Sequence, residues 1–220
     1  MKGPFVIAVD GPAASGKGTI AKRLGETYEL PVLDTGLLYR AVGVLAQKAG
    51  DIDDPAACKA AAATLTADQL ADPALRTREA GELASRAAVH PHVREALLAF
   101  QQTFAGQEGG AVLDGRDIGT VICPDAPAKL YVTARPEVRA ERRWKQLRAQ
   151  GEAVSLDEVR ADIRRRDARD GRRDAAPMRP ANDATLLDTS EMTIEQAADA
   201  ARRIVEAARA RWDRSEGTSS

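Results

Sequence analysis

Nine consecutive residues carry the densest chemistry in this chain: Gly11, Pro12, Ala13, Ala14, Ser15, Gly16, Lys17, Gly18 and Thr19. They follow a short apolar run, Phe5-Val-Ile-Ala-Val9, and open a segment with helical spacing. The order is strand, glycine-rich turn, helix N-terminus. Backbone N–H groups in such a turn converge on phosphate oxygens, and the positive end of the helix adds to the attraction. Lys17 supplies a mobile cation able to reach β- and γ-phosphates. The motif predicts a nucleoside triphosphate held by its phosphates. A chance glycine turn would lack both flanking elements.

The second concentration of charge lies far along the chain, with seven arginines between Arg160 and Arg173. Arg166, Arg169 and Arg173 are spaced i, i+3, i+7, which would place them on one helical face. Three readings compete: a solvated, salt-bridged helix, an RNA-binding arm, and a lid closing over phosphates. Interleaved Asp162, Asp167 and Asp170 and the lack of stacking aromatics count against RNA. Guanidinium groups grip phosphate oxygens two at a time, and the phosphate loop favours the lid. If the acceptor is itself a phosphate, two anionic ligands must meet, and several arginines are needed to offset their repulsion. No general base is required, because such a phosphate is already largely ionised with a second pKa of about 6. The two histidines, His90 and His92, flank Pro91 and read as turn or cap residues.

The elements that must position these groups are legible as alternating patterns. Phe5–Asp10, Val32–Asp34, Ala111–Asp114, Lys129–Ala134 and Thr185–Asp188 read as buried strands. Helical spacing covers Lys17–Tyr28, Leu37–Ala49, Ala56–Leu65, Glu79–Ala88, Val93–Phe104, Pro136–Ala149, Leu156–Arg169 and Ile194–Trp212. This predicts an α/β fold whose ligands gather at the carboxyl ends of parallel strands, where Asp10, Asp34, Asp114 and Asp188 stand. Residues 51–78 read as an alanine-rich insertion. Ser155 and Glu158 have capping-box spacing, and 151–154 read as a hinge between two basic helices. The expected organisation is one domain over 1–220. Its core is 1–36, 107–140 and 174–212, with a monophosphate-binding part at 37–106, a lid at 141–173 and a disordered tail at 213–220.

In a chain of 220 residues, 32 basic groups nearly balance 33 acidic ones, and the net charge of −1 argues against broad nucleic-acid binding. With 44% hydrophobic residues the chain can build a full core, yet no apolar stretch reaches membrane-span length and no secretory h-region is visible. Cys58 and Cys123 have no metal-type spacing, which suits a reducing cytoplasm and excludes a four-cysteine zinc lid. No apolar heptad is visible, so a monomer is expected.

Gly-Lys-Gly-Thr, with a glycine directly after the lysine, resembles the loop of nucleoside-monophosphate kinases more than that of GTPases. Over nearly its whole length the chain resembles bacterial-type cytidylate (CMP) kinases. The matching stretches are Gly11–Thr19, Leu33–Arg40, Ala84–Ser85, Val93–Leu97, Asp114–Thr120, Pro124–Pro127, Arg166–Arg173 and Leu187–Thr189. The resemblance implies a P-loop nucleoside-monophosphate-kinase fold with a five-stranded parallel sheet flanked by helices. It implies ATP as donor with Mg²⁺, and CMP or dCMP as acceptor. Thr35, Tyr39 and Arg40 look like part of the monophosphate site, joined by Arg116. Ser85, Arg94 and Asp117 match the positions that read cytosine. Arg166, Asp170 and Arg173 match the part closing on ribose and phosphate. Lys17, Arg116, Arg142 and Arg143 look like the catalytic cations, the last two on the donor side. Asp114 could orient the Mg²⁺ shell through water, and Thr19 could meet the metal or only a phosphate.

The base-reading trio also has a physical logic. Cytosine presents an N4 amino donor with N3 and O2 acceptors. Asp117 can accept from N4, while Arg94 and Ser85 can donate. Uracil reverses two of these polarities and would leave buried polar groups unpaired. Many family members carry a longer, strand-bearing insertion where this chain has its compact helical 56–63. Kinases of the same fold for AMP, shikimate or dephospho-coenzyme A are the runner-up reading. A nucleotide-sensing or RNA-binding protein using the loop as a switch is the different-class alternative.

Overall fold

Strand β1 (Phe5–Asp10) is buried along its whole length and forms the centre of the sheet. The computed structural model describes residues 3–214. Around β1 stand β2 (Val32–Asp34), β3 (Gly110–Gly115), β4 (Ala128–Thr133) and β5 (Thr185–Asp188), in the order β2-β3-β1-β4-β5, every pairing parallel. Successive side chains of a strand point to opposite faces, so β1 feeds two cores. Val6 and Ala8 join Ala111 and Leu113 on one face. Phe5, Ile7 and Val9 join Val112, Leu130 and Val132 on the other. Strands buried on both faces must be apolar throughout, which is why β1, β3 and β4 read as continuous runs; the edge strands β2 and β5, expected to be buried, instead expose Val32 and Leu186.

Helices cover each face. On the second face lie α1 (Lys17–Tyr28) and α9 (Ile194–Arg214), the latter burying Ala197, Ala201, Val205 and Ala208 at helical spacing. On the first lie α2 (Thr35–Ala49), α3 (Pro55–Ala63), α5 (Arg78–Ala87) and α6 (Pro91–Ala105), with the one-turn α4 (Ala67–Leu70) between α3 and α5. The insertion is helical and compact, as its alanines suggest. Asp54 caps α3 by accepting from Ala56 N at 2.9 Å. A 3₁₀ turn, Pro73–Arg76, follows and is capped by Asp72.

A helical hairpin projects from the sheet: α7 (Pro136–Ala149) and α8 (Leu156–Arg172). It owns a small apolar core of Ala140, Leu147, Val154, Val159 and Ile163. Ser155 and Glu158 form the expected capping box. Gly151, expected in a hinge, has a local duty: with φ +85° it ends α7, donating to Arg148 O while Glu152 N donates to Leu147 O, both at 3.0 Å. That doubled bond is the Schellman pattern.

Several boundaries shift by a residue or two from expectation, and four differences bear on the site or the termini. Helix α2 begins at Thr35 rather than Leu37, because Asp34 serves as its N-cap residue. Helix α8 ends at Arg172, so Arg173 lies beyond it, with extended backbone, rather than on the face of Arg166 and Arg169. Helix α9 continues to Arg214, so Asp213 and Arg214 are helical rather than part of a tail; residues 215–220 lie outside the described residues. A π-type turn, Ile118–Ile122, follows β3, where the sequence showed no element.

Candidate active site

The phosphate loop leaves β1 at Gly11 and enters α1 at Lys17. A Cβ on Gly11, at φ +145°, would lie 1.9 Å from Val132 O, so only glycine lets the loop pass β4. Ala14 and Gly16 take left-handed backbone, φ 59° and 92°, which curls the chain before the helix. Lys17 Nζ lies 3.4 Å from Asp114 Oδ1 at the end of β3. Burial pushes the Lys17 ammonium down and the Asp114 carboxyl up to about 6, and the pair's attraction opposes both shifts.

The cleft facing this loop, about 230 Å³, is lined by side chains from many other parts of the chain. From α2 come Tyr39 and Arg40, from α5 Ser85, from α6 Arg94, from the β3 end Arg116 and Asp117, and from α8 and its end Arg166, Asp170 and Arg173. Asp170 is the hub: it accepts from Ser85 Oγ at 3.1 Å and Arg116 Nε at 3.2 Å, with Arg166 Nε at 3.8 Å. Burial raises its carboxyl, but Arg116, Arg166 and Arg173 outweigh this and leave it below the usual range. Arg94 pairs with Asp117, both largely buried, and its guanidinium lies 5.9 Å from the Tyr39 ring centroid.

Positive charge exceeds what these carboxylates can neutralise. Burial, then the neighbouring Arg143, lower Arg40 to about 10; burial, then Arg116, do the same to Arg166. Buried Arg94 Nη1, Arg166 Nε and Arg173 Nη2 have no hydrogen-bond partner among the described residues. Unspent donors in a crowded cationic cleft call for an anion.

The expected residues converge with some changes of duty. Thr35 lines the cleft, but its hydroxyl donates to Asp114 O at 2.9 Å. Ser85 is present, with its proton given to Asp170. Arg40 donates to Leu75 O at 2.7 Å, anchoring the 3₁₀ turn of the insertion. Arg143 reaches the cleft and also donates to Thr77 O at 3.3 Å, touching the insertion. Arg142 is not among the lining residues: it donates to Thr189 Oγ1 at 2.9 Å and Thr189 O at 2.7 Å. Thr19 is exposed on the first turn of α1.

Among the described residues no group of three or more acidic, histidine or cysteine side chains could enclose a metal ion. Magnesium, though, is ordinarily held by one or two carboxylates, water and substrate phosphates. Asp114 Oδ1 is buried without a hydrogen-bond partner among the described residues. A Cβ on Gly18 would lie 3.1 Å from Asp114 Oδ2, so the carboxylate crowds the position where other phosphate loops carry Ser or Thr. The residues fit a hydrated Mg²⁺ near Asp114.

Sequence reasoning passed over Asp34 and Arg76, which both line the cleft, and Asp10 behind it. Asp10 accepts from Ile118 N and Gly119 N, each at 2.8 Å, and so holds the turn that follows Asp117. The position of Asp10 and Asp34 at strand ends was the available signal; for Arg76 it was Leu75–Glu79, a further stretch that resembles the family.

A parallel α/β sheet with a phosphate loop after its central strand, an inserted helical arm and an arginine-bearing hairpin defines a P-loop kinase of the nucleoside-monophosphate type. The model of the cytidylate kinase family matches residues 7–207, and the chain belongs to that family. It is 67% identical to a cytidylate kinase of Caulobacter sp. (strain K31) over 214 residues, 97% of this chain and 99% of that one. It is 61% identical to a cytidylate kinase of Xanthobacter autotrophicus over 206 residues, 94% of this chain and 99% of that one. An uncharacterized protein from Eubacterium ventriosum shares the fold at 15% identity, with a TM-score of 0.55 over 92% of this chain and 98% of that one.

Proposed function

We propose that the cleft transfers the γ-phosphoryl group of ATP to CMP or dCMP, giving ADP and CDP or dCDP. Membership of the cytidylate kinase family carries this reading and makes the chain an enzyme. The cleft supports it, because a cradle for one anion faces unspent guanidinium donors for another.

In this reading Gly11, Pro12, Ala13, Ala14, Ser15, Gly16, Lys17, Gly18 and Thr19 hold the donor phosphates. Lys17, Arg116 and Arg143 face the transferring group and stabilise charge as it redistributes. Arg142, one contact removed, braces the loop. Thr35, Tyr39, Arg40, Arg166 and Arg173 surround the acceptor phosphate and ribose, while Ser85, Arg94 and Asp117 read the base. Asp170 holds the arginines ready until the acceptor competes for them. Asp114 would hold Mg²⁺ through water, and the ion, when bound, would neutralise charge on the phosphate oxygens. Residues 37–106 form the acceptor arm and 141–173 the lid.

The enzyme works as a cytoplasmic monomer without nucleic-acid partners. Two free cysteines suit a reducing compartment, and among the described residues no helix is long and apolar enough to cross a membrane. A turnover panel with ATP, Mg²⁺ and CMP, dCMP, UMP, AMP or shikimate tests the reading. CMP or dCMP should lead. A lead for AMP or shikimate would overturn the acceptor, and binding without turnover would favour a nucleotide sensor.

A further inference from the structure

The phosphate loop is braced from behind by two residues that touch no substrate in this reading. Thr189, just past β5, is 2% exposed, and its Oγ1 lies 2.9 Å from Ser15 O and 3.1 Å from Thr133 O. A hydroxyl has one proton to give. Thr133 O already accepts Thr189 N at 2.9 Å, and Arg142 Nη1 donates into Thr189 Oγ1 at 2.9 Å. The shorter of the two contacts assigns the hydroxyl proton to Ser15 O. Arg142 Nη1 also approaches that carbonyl, at 3.4 Å. Two residues earlier, Arg139 Nη1 donates to Ala13 O at 3.3 Å. Arg139 is itself 4% exposed and fixed by Ala134 O at 2.9 Å and by both oxygens of Asp167, at 3.1 and 2.6 Å.

In a planar trans peptide the C=O and the following N–H point in opposite directions, and the described chain has no cis bond. Pinning Ser15 O toward Thr189 therefore turns Gly16 N–H away from it, and pinning Ala13 O toward Arg139 turns Ala14 N–H away likewise. Ala14 and Gly16 both take left-handed backbone, the conformation that reverses alternate peptides to make an anion nest. We infer that Thr189 and Arg139 are positioning residues for the donor site. By holding the loop's outward carbonyls they aim the N–H groups of Gly16 and Ala14 at the ATP phosphates. The inference rests on the reading of this loop as the ATP cradle.

The test is equilibrium binding of a non-hydrolysable ATP analogue with Mg²⁺, and of CMP alone, to the wild type, Lys17→Ala, Thr189→Val and Thr189→Ser. Valine keeps the shape and removes the hydroxyl; serine keeps the hydroxyl. Losing one aimed donor should weaken the analogue about tenfold in T189V, leave CMP within about twofold, and be recovered in T189S. Analogue binding as tight in T189V as in wild type overturns the inference. So does an equal loss of CMP affinity, the mark of a merely structural residue. If T189V does not fold, Arg139→Lys, whose point-like ammonium cannot span Ala134 O, Ala13 O and both Asp167 oxygens as the planar guanidinium does, is held to the same criteria for the analogue and CMP. Failure of the wild type to bind the analogue, or indifference of its binding to Lys17→Ala, would instead overturn the loop assignment.

Discussion

The donor and acceptor halves of the cleft are built on opposite plans. The donor half is mostly backbone: nine contiguous residues, curled by local φ values and braced from outside. The acceptor half is mostly side chains, gathered from α2, α5, α6, the β3 end and α8. Two of its arginines are already paired, Arg94 with Asp117 and Arg116 with Asp170. A backbone cradle is ready before its ligand arrives and discriminates little beyond phosphate. A side-chain cage must exchange internal ion pairs for ligand contacts, and it can discriminate, because a wrong ligand leaves those groups unpaired.

The largest break in this comparison should come from the phosphate loop's own cation, Lys17. Lys17→Ala should lower kcat by roughly 10² to 10³, the range seen when one stabilising donor is removed from a developing charge. The fold should survive, since the Lys17 side chain contributes to none of the three apolar cores. Turnover and melting temperature measured on the same sample decide it; near-normal turnover in a folded variant removes Lys17 from the chemistry.

On the acceptor side the expected effect is smaller but selective. Asp117→Ala should cut turnover with CMP far more than it disturbs ATP binding. It should also narrow the CMP-to-UMP ratio of kcat/KM by about tenfold, a buried polar mismatch being worth roughly 1–3 kcal/mol. The variant also frees Arg94, its ion-pair partner, so both nucleotides will lose some rate. A ratio that stays constant while both rates fall would make Asp117 structural and place base recognition elsewhere.

The same contrast decided what could be read from the sequence. The loop was legible because its parts are contiguous and its flanking strand and helix announce themselves by pattern. Strands buried on both faces were equally plain. The acceptor cage was not, because nothing in the local sequence of Arg94 or Ser85 separates them from ordinary helix residues. Only resemblance to a family singled them out. Arg76 stayed hidden because its placement depends on how the insertion folds back. The π-type turn stayed hidden because the carboxylate that holds it, Asp10, lies 108 residues away from Ile118. The bond from Arg142 to Thr189 was illegible for a related reason: it spans 47 residues.

Asp10 is where the two halves meet, and it yields the smallest expected effect. It ends β1, the strand that launches the phosphate loop, yet its carboxylate holds Ile118 N and Gly119 N in the turn after Asp117. Burial pushes its carboxyl from 3.8 up to about 7; the two N–H bonds pull it down, and Asp117 and Asp114 push it up further. Between those two values the folded chain binds a proton that the unfolded chain has released. Stability therefore falls as pH rises through that window and is flat above it with respect to this group. Asparagine cannot ionise, so Asp10→Asn should lack this fall. It offers one good acceptor where the carboxylate offers two, which costs the variant stability at every pH. The diagnostic quantity is thus the melting temperature of D10N minus that of wild type, compared at pH 5 and pH 8. It should be more favourable to the variant at pH 8, by roughly a few degrees for a chain of this size. Titration of Asp114 and of surface carboxylates occurs in both proteins and largely cancels. A difference equal at the two pH values would mean that Asp10 is ionised throughout, with the turn's N–H groups outweighing its burial.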